Sequence, residues 1–427
     1  MEQERLIGGL NAETAGRRLQ ALRELTAAYD RWELAPPTAG EDVNNHIHTT
    51  YSFSPYSPAK AAYMAWINGL TTAGIMDHDS VGGAEEFIEA GRILGVATTV
   101  GFECRCRMDS TPFAGKRINN PDQCSVAYMA AHGIPHQNIG AAQEWLSGYR
   151  KHRNLRNRKM TDNINRLLAG TGLCLDFDRD IAAISMNHDG GSVTERHILF
   201  ALSLQMMERI GTGLTLLDFL SEKTGLEITG KNRVMLLNPE DSMYVYVLLG
   251  VLKSGMVEKF YIDAVEECPD VIEFIRFTAE IGAISAYAYL GDVEDSVTGD
   301  KKAQAFEDSY LDELVAWLAG AGFHALTYMP TRNTERQLDR VIGLCEKHGL
   351  FQISGEDINS PFQSFHCEAL KSPRFRHLVD STWALIGHEL AATDDIAKGM
   401  FSMEAMAAIP GLAERIAHFS RLAKGTV

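Results

Sequence analysis

A chain of 427 residues with 45% hydrophobic content can bury a large core, either as two or three domains or as one large domain with an insertion. A formal net charge of -16 and a pI near 5.3 set most of its surface against a phosphate backbone, which argues against a role in coating nucleic acid. Small anionic ligands escape that argument, because a bound divalent cation reverses the charge locally.

Residues 1–40 read as an amphipathic helical extension that ends at the Pro36-Pro37 break. They mix both charge signs and lack the apolar core of a secretory signal, and no later stretch approaches ~18 uninterrupted apolar residues. The expectation is a cytoplasmic protein without a membrane segment. Seven cysteines without C-x-x-C spacing, Cys104, Cys106, Cys124, Cys174, Cys268, Cys345 and Cys367, fit reduced thiols.

From residue 41 to 108 short apolar strands (43–49, 74–77, 96–104) alternate with helical patterns (57–68, with Pro58 near its start, and 82–94). The beat is lost over 109–267, a polar stretch followed by helical patterns such as 196–209 and 242–253, and this segment is predicted to be a mostly helical insertion. It carries one basic run, YRKHRNLRNRK (149–159), which a solvated helix or loop explains more simply than an anion-binding surface. The alternation returns over 268–365 with strands at 283–290, 325–329 and 351–355 and helices at 308–319 and 334–347. Residues 366–427 read as helical, with Trp383, Leu385 and Ile386 in the core. Such alternation predicts an α/β fold with a parallel sheet, open or closed.

Asn45-His46-Ile47-His48-Thr49 puts two imidazoles on one face of a strand, side by side. Further ionisable residues stand at the ends of other strands: Asp77-His78-Asp79 after an apolar run, Glu103 after VATTV, and Asp357 after FQIS. In parallel β/α barrels the carboxyl ends of the strands form the active-site face, so these positions converge, and two imidazoles with two carboxylates make a divalent-metal site. Asp79 has a plainer reading as the cap of the following helix.

The same residues resemble the motifs of the PHP (polymerase and histidinol phosphatase) family. HIHTTYSFSP, GIMDHDSVGGAEEF and VGFE are similar to its first three motifs, in order, and similarity resumes from about residue 282 to 365. The resemblance implies a distorted (β/α)7 TIM-like barrel and a metal-dependent phosphoesterase, with His46, His48, Glu103 and Asp357 as metal ligands and His78 serving another ion. The chain departs from the family pattern at Ser52-Phe53-Ser54, Ala288-Tyr289-Leu290 and Asp357-Ile358-Asn359, and a further family histidine corresponds to Tyr128 or, a few residues on, to His132. Phenylalanine cannot coordinate, so fewer than three ions are expected, of zinc, manganese or iron.

The activity so implied is hydrolysis of a small phosphorylated substrate, with His78 or Asp77 as general acid or base and Arg105, Arg196, His197 and Arg332 as substrate-binding candidates. Arg105 follows Glu103 by two on one strand, and Arg196-His197 in GGSVTERHI resembles a segment of the family's nucleotide phosphatases. Two other readings stay open: a C–N bond amidohydrolase, and a degenerate barrel that binds metal or a phosphorylated ligand without turnover. The oligomeric state is left open.

Overall fold

The computed structural model describes residues 2–31, 37–293 and 304–426; Pro36 of the predicted break lies outside them. The amino terminus forms two helices, α1 (Glu2–Gly9) and α2 (Ala15–Arg31), where one was expected. The chain turns through 10–12 after the poor helix formers Gly8 and Gly9. The pair is no loose appendage: Leu6, Leu10, Leu22 and Leu25 join the main core, and buried Arg18 grips Glu86 with two hydrogen bonds of 2.8 and 2.5 Å.

The next elements follow the predicted rhythm. Helix α3 (Pro58–Ile67) starts with the Ser57 side chain accepting from the Lys60 N–H, β1 (Thr72–His78) follows, and α4 (Ala84–Leu94) ends on left-handed Gly95. Then come β2 (Ala97–Arg107) and β3 (Val126–His132), the latter inside the segment predicted to be insertion. The insertion proper is helical: α5 (Ile139–Leu167), α6 (Glu195–Arg209), α7 (Leu214–Phe219), α8 (Gly230–Leu236) and α9 (Tyr244–Phe260), closed over a core of its own that includes Met160, Leu202, Leu248 and Phe260. After α10 (Val271–Glu280) the sheet resumes with β4 (Ile284–Ala288), α11 (Leu311–Ala321), β5 (Ala325–Tyr328), α12 (Glu335–His348) and β6 (Phe351–Ser354). Helices α13 (Arg376–Asp394), α14 (Met403–Ala408) and α15 (Leu412–Thr426) end the chain, with Leu385 and Ile386 buried as expected and Trp383 only partly so.

The strands form one curled, open six-stranded sheet in the order β1-β2-β3-β4-β5-β6. All neighbours are parallel except that β3 runs antiparallel to both β2 and β4, against the expectation of a wholly parallel sheet. The link from β2 to β3 contains no helix, so no crossover returns the chain to the starting edge. The predicted strand at 43–49 is reduced to Ile47, which bridges Ile75 on one side and Ile358 on the other. Two glycines let this segment in: a Cβ on Gly74 would lie 2.8 Å from Asn45 Cα, and one on Gly355 would lie 2.6 Å from His46 Cβ. No helix among the described residues is long and apolar enough to cross a membrane.

Candidate metal centre

Ile47 faces the core while its neighbours His46 and His48 turn the other way, as strand alternation requires. Their rings lie 5.0 Å apart, and His48 is 4.6 Å from the ring of His78 at the end of β1. Glu103 Oε2 stands 3.6 Å from His46 Nε2 and 3.2 Å from His78 Nδ1, and Asp357 Oδ1 stands 3.3 Å from His48 Nε2. One nitrogen each from His46 and His48 and one Glu103 oxygen fall within 4.8 Å of one another. Together these three can hold a single metal ion.

The surroundings of His48 point the same way. Asp77 accepts the Ser52 hydroxyl at 2.6 Å, so Ser52 in turn accepts from His48 Nδ1 at 3.2 Å. That arrangement leaves Nε2 with its lone pair toward the cluster, buried and without a hydrogen-bond partner. A bare nitrogen opposite a carboxylate oxygen is two acceptors facing each other, which a cation between them satisfies. Asp77, expected as a general acid or base, is therefore placed otherwise. It is buried, its oxygens are taken by Thr49 N–H, Thr49 O–H and Ser52 O–H, and it supports His48 from behind.

A cavity of about 380 Å³ opens onto the cluster, lined by His46, His78, Glu103, Tyr128, Asp357 and Asn359 and by the cations Arg153, Arg196, Lys253 and Arg332. Burial and the neighbouring His48 lower the His78 pKa well below the usual histidine value. Burial would lower that of His46 too, but Glu103 and Asp357 outweigh it and the net shift is upward. Arg196 donates to the Asn359 side chain, and Arg332 Nε donates to Leu290 C=O at 3.2 Å.

Arg105 and His197, expected at the substrate, do not line this cavity. Arg105 is wholly buried and paired with Glu195 and Glu267, at 3.3 and 2.5 Å. His197 caps α6, where its Nδ1 accepts the Thr194 N–H at 3.0 Å. The basic run is a helix solvated on one face only: Lys151, His152, Arg158 and Lys159 are exposed, whereas Arg150, Arg153 and Arg156 are buried on the other face of α5. Arg153 and Arg156 pair with Asp79, Glu195 and Glu267. Asp79 accordingly does not cap α4, whose first turn has no side-chain cap.

The departures from the family pattern have structural counterparts. Phe53 packs edge-on against His197 and Phe200, Tyr289 O–H is bound to Asp308 at 2.6 Å, and the Asn359 amide N–H donates to Asp357 at 2.5 Å. Tyr128 lies against His78 at 5.8 Å, whereas His132 is buried and does not line the cavity. Sequence reading missed Ser52, Arg153 and Lys253. The i, i+3 spacing of Arg150, Arg153 and Arg156 was the one available signal, a single helix face too regular for random solvation.

No family model matches the chain, and no curated protein matches it in sequence. Among solved structures it is similar to a protein assigned as a metal-dependent phosphoesterase from Bifidobacterium adolescentis, at 18% identity and a TM-score of 0.49, over 79% of this chain and 96% of that one. It is also similar to an amidohydrolase from Chromobacterium violaceum with bound sulfate and no metal, at 14% identity and a TM-score of 0.48, over 75% of this chain and 88% of that one.

Proposed function

We propose that this protein is a metal-dependent phosphoesterase for a small phosphorylated metabolite or nucleotide. In this reading the 44–48 segment serves as the seventh stave of a distorted barrel, and one zinc, manganese or iron ion is held by His46, His48, Glu103 and Asp357. The observation that carries the proposal is the buried Nε2 of His48, without a hydrogen-bond partner and beside Asp357, in a cluster opening onto a cavity that Arg196, Lys253 and Arg332 line. When bound, such an ion polarises a phosphoryl oxygen and acidifies water near neutral pH.

The chain's own residues supply the rest. Asp77 and Ser52 fix the tautomer of His48. His78, kept neutral by its surroundings and reaching the cavity, accepts or returns a proton at its ring nitrogen. Arg196, Arg332 and Lys253 hold the phosphate charge inside a partly enclosed space, where such contacts gain strength. Phe53, Tyr289 and Asn359 leave too few ligands for a three-ion cluster.

The test is metal content per chain, measured without added metal or chelator, together with p-nitrophenyl phosphate turnover, for the native protein and for His46→Ala, His48→Ala. One ion and a metal-dependent turnover, both lost in the double variant, are expected. Two or three ions would overturn the single-ion assignment. Absence of metal after incubation with zinc, manganese or iron would favour the non-catalytic barrel.

A further inference from the structure

The loop carrying His78 is fastened by the insertion, and we propose that Arg153 of α5 is a positioning residue for His78, acting through Asp79. Asp79 has φ +49°, one of two non-glycine residues with positive φ among those described, and a conformation that L side chains adopt rarely. Three contacts hold it there. Its N–H donates to Glu103 C=O at 2.8 Å, its C=O accepts from Arg150 at 2.8 Å, and its Oδ2 lies 2.8 Å from Arg153 Nη2. Both side chains of the Arg153–Asp79 pair are almost wholly buried, at 4% and 2% exposure. Neither Asp79 oxygen has an aligned hydrogen bond, and Arg153 Nε lies 3.4 Å from Glu267 in the same unaligned way. The guanidinium therefore acts as a charge seated between two carboxylates.

The grip continues past Asp79. Ser80 O–H donates to Gly190 C=O at 2.8 Å, and Val81 N–H donates to the Gln143 side chain at 3.0 Å, both partners belonging to the insertion. On the other side stands His78, whose Nδ1 meets Glu103 Oε2 at 3.2 Å. If Asp79 relaxed to an ordinary backbone conformation, the 78–79 peptide would rotate, and with it the N–H that ties this loop to Glu103. Arg153 opposes that rotation from 74 residues downstream, and it also lines the cavity. The insertion thus does more than cover the site: its first helix sets where the His78 ring stands.

This inference rests on His78 being a site residue, and its test separates the two. Imidazole resonances of the metal-free protein are recorded by NMR, those of His78 being identified by their loss in His78→Gln. Turnover of p-nitrophenyl phosphate is measured with manganese and with zinc. In Asp79→Asn, which still tolerates positive φ, and in Arg153→Leu, the His78 resonances should shift. In both, kcat should fall by about 10–100-fold, as for residues that orient a metal-site group, while KM stays unchanged. The double variant should be no worse than either single one, and Arg153→Lys should recover part of the loss. Shifted resonances without turnover in the native protein would support the positioning role and remove the phosphoesterase. Unmoved His78 resonances with native kcat in folded Asp79→Asn would overturn the proposal, and that variant decides the matter if Arg153→Leu fails to fold.

Discussion

Glu103 and Arg105 stand two residues apart on one face of β2, yet they belong to clusters of opposite kinds. Glu103 meets His46 and His78, groups that themselves offer lone pairs, and beside it His48 Nε2 has no partner. Arg105 enters a network in which Arg105, Arg153 and Arg156 are matched by Asp79, Glu195 and Glu267. The first cluster is incomplete without a guest; the second is neutral by itself. A buried charge cluster that closes on its own residues holds a fold together, and one that does not is poised for a ligand.

The largest effect belongs to the open cluster. His46→Ala, His48→Ala should lose its metal and more than about 100-fold in turnover, since losing even a residue hydrogen-bonded behind a ligand costs about 10–100-fold. In metal-free protein its melting temperature should hardly move, because removing the imidazoles also removes the two acceptors that faced each other. A collapse of the metal-free fold in this variant would break the distinction.

In the closed network the order reverses. Glu267 accepts from Arg105 at 2.5 Å and Arg156 at 2.6 Å with its side chain 2% exposed, so Glu267→Gln leaves buried guanidinium groups underpaired. Breaking such a pair costs about 3–5 kcal/mol, to be read from urea denaturation, whereas metal content per folded chain should be retained. A loss below about 1 kcal/mol, the scale of a surface pair, would demote the network to decoration.

These two clusters were unequally legible in the sequence. The histidines and carboxylates that meet at the cavity sit next to apolar strands, where polar residues are anomalous and strand alternation fixes their direction, so His46, His48, His78 and Glu103 could be placed together. Helices α3 and α12 were equally readable from their caps, Ser57-Pro58 and Thr334 with Gln337. The network was hidden because its members come from five separate segments: Arg105 of β2 and Arg153 and Arg156 of α5 meet partners on the loop after β1, on α6 and before α10, and no local pattern encodes those pairings. Arg105 shows the trap most clearly. Its alternation with Glu103 was read correctly, but a strand face has a near end at the cavity and a far end beneath the insertion. Strand β3 was missed altogether, because it falls in the segment read as insertion, and even a recognised strand would not have shown its antiparallel direction, since periodicity reports which face a residue takes and never which way the strand runs.

Glu307 tests the distinction between the two kinds of cluster at an intermediate point. It is fully buried; one oxygen accepts Tyr287 O–H at 2.9 Å and Leu290 N–H at 2.9 Å, and the other has no hydrogen-bond partner among the described residues. Burial pushes its pKa from 4.5 up to about 7. Because the folded chain keeps a proton that the unfolded chain releases, this group's contribution is full below the unfolded pKa and falls as pH rises through about 7. The fall amounts to about 3 kcal/mol at about 1.4 kcal/mol per pKa unit. Glu307→Gln should remove that slope and be the more stable protein at about pH 8, measured as the difference between the two urea midpoints across the range. Parallel pH profiles for the two proteins would mean that the orphan oxygen is solvated.

The smallest effect is assigned to Lys253, a cation on the cavity wall that the sequence did not single out. Its side chain lines the cavity with no hydrogen bond or ion pair among the described residues, and the adjacent Arg196 charge, followed by burial, lowers its pKa to about 8. Asp122, Glu195 and Asp357 also face it and pull the other way without cancelling the repulsion. Two cations side by side favour an anion between them, so Lys253→Met should raise KM for a phosphate ester by about tenfold, the scale of one hydrogen bond to a charged group, with kcat little changed. The sign of the pH dependence follows from the same value. Below about 8 the ammonium is present and the variant is the weaker binder; as pH rises through about 8 the native protein loses that charge and the two KM values should converge. Equal KM values for both proteins at about pH 6.5 would place Lys253 with the closed network's bystanders, and would leave Arg196 and Arg332 to hold the phosphate alone.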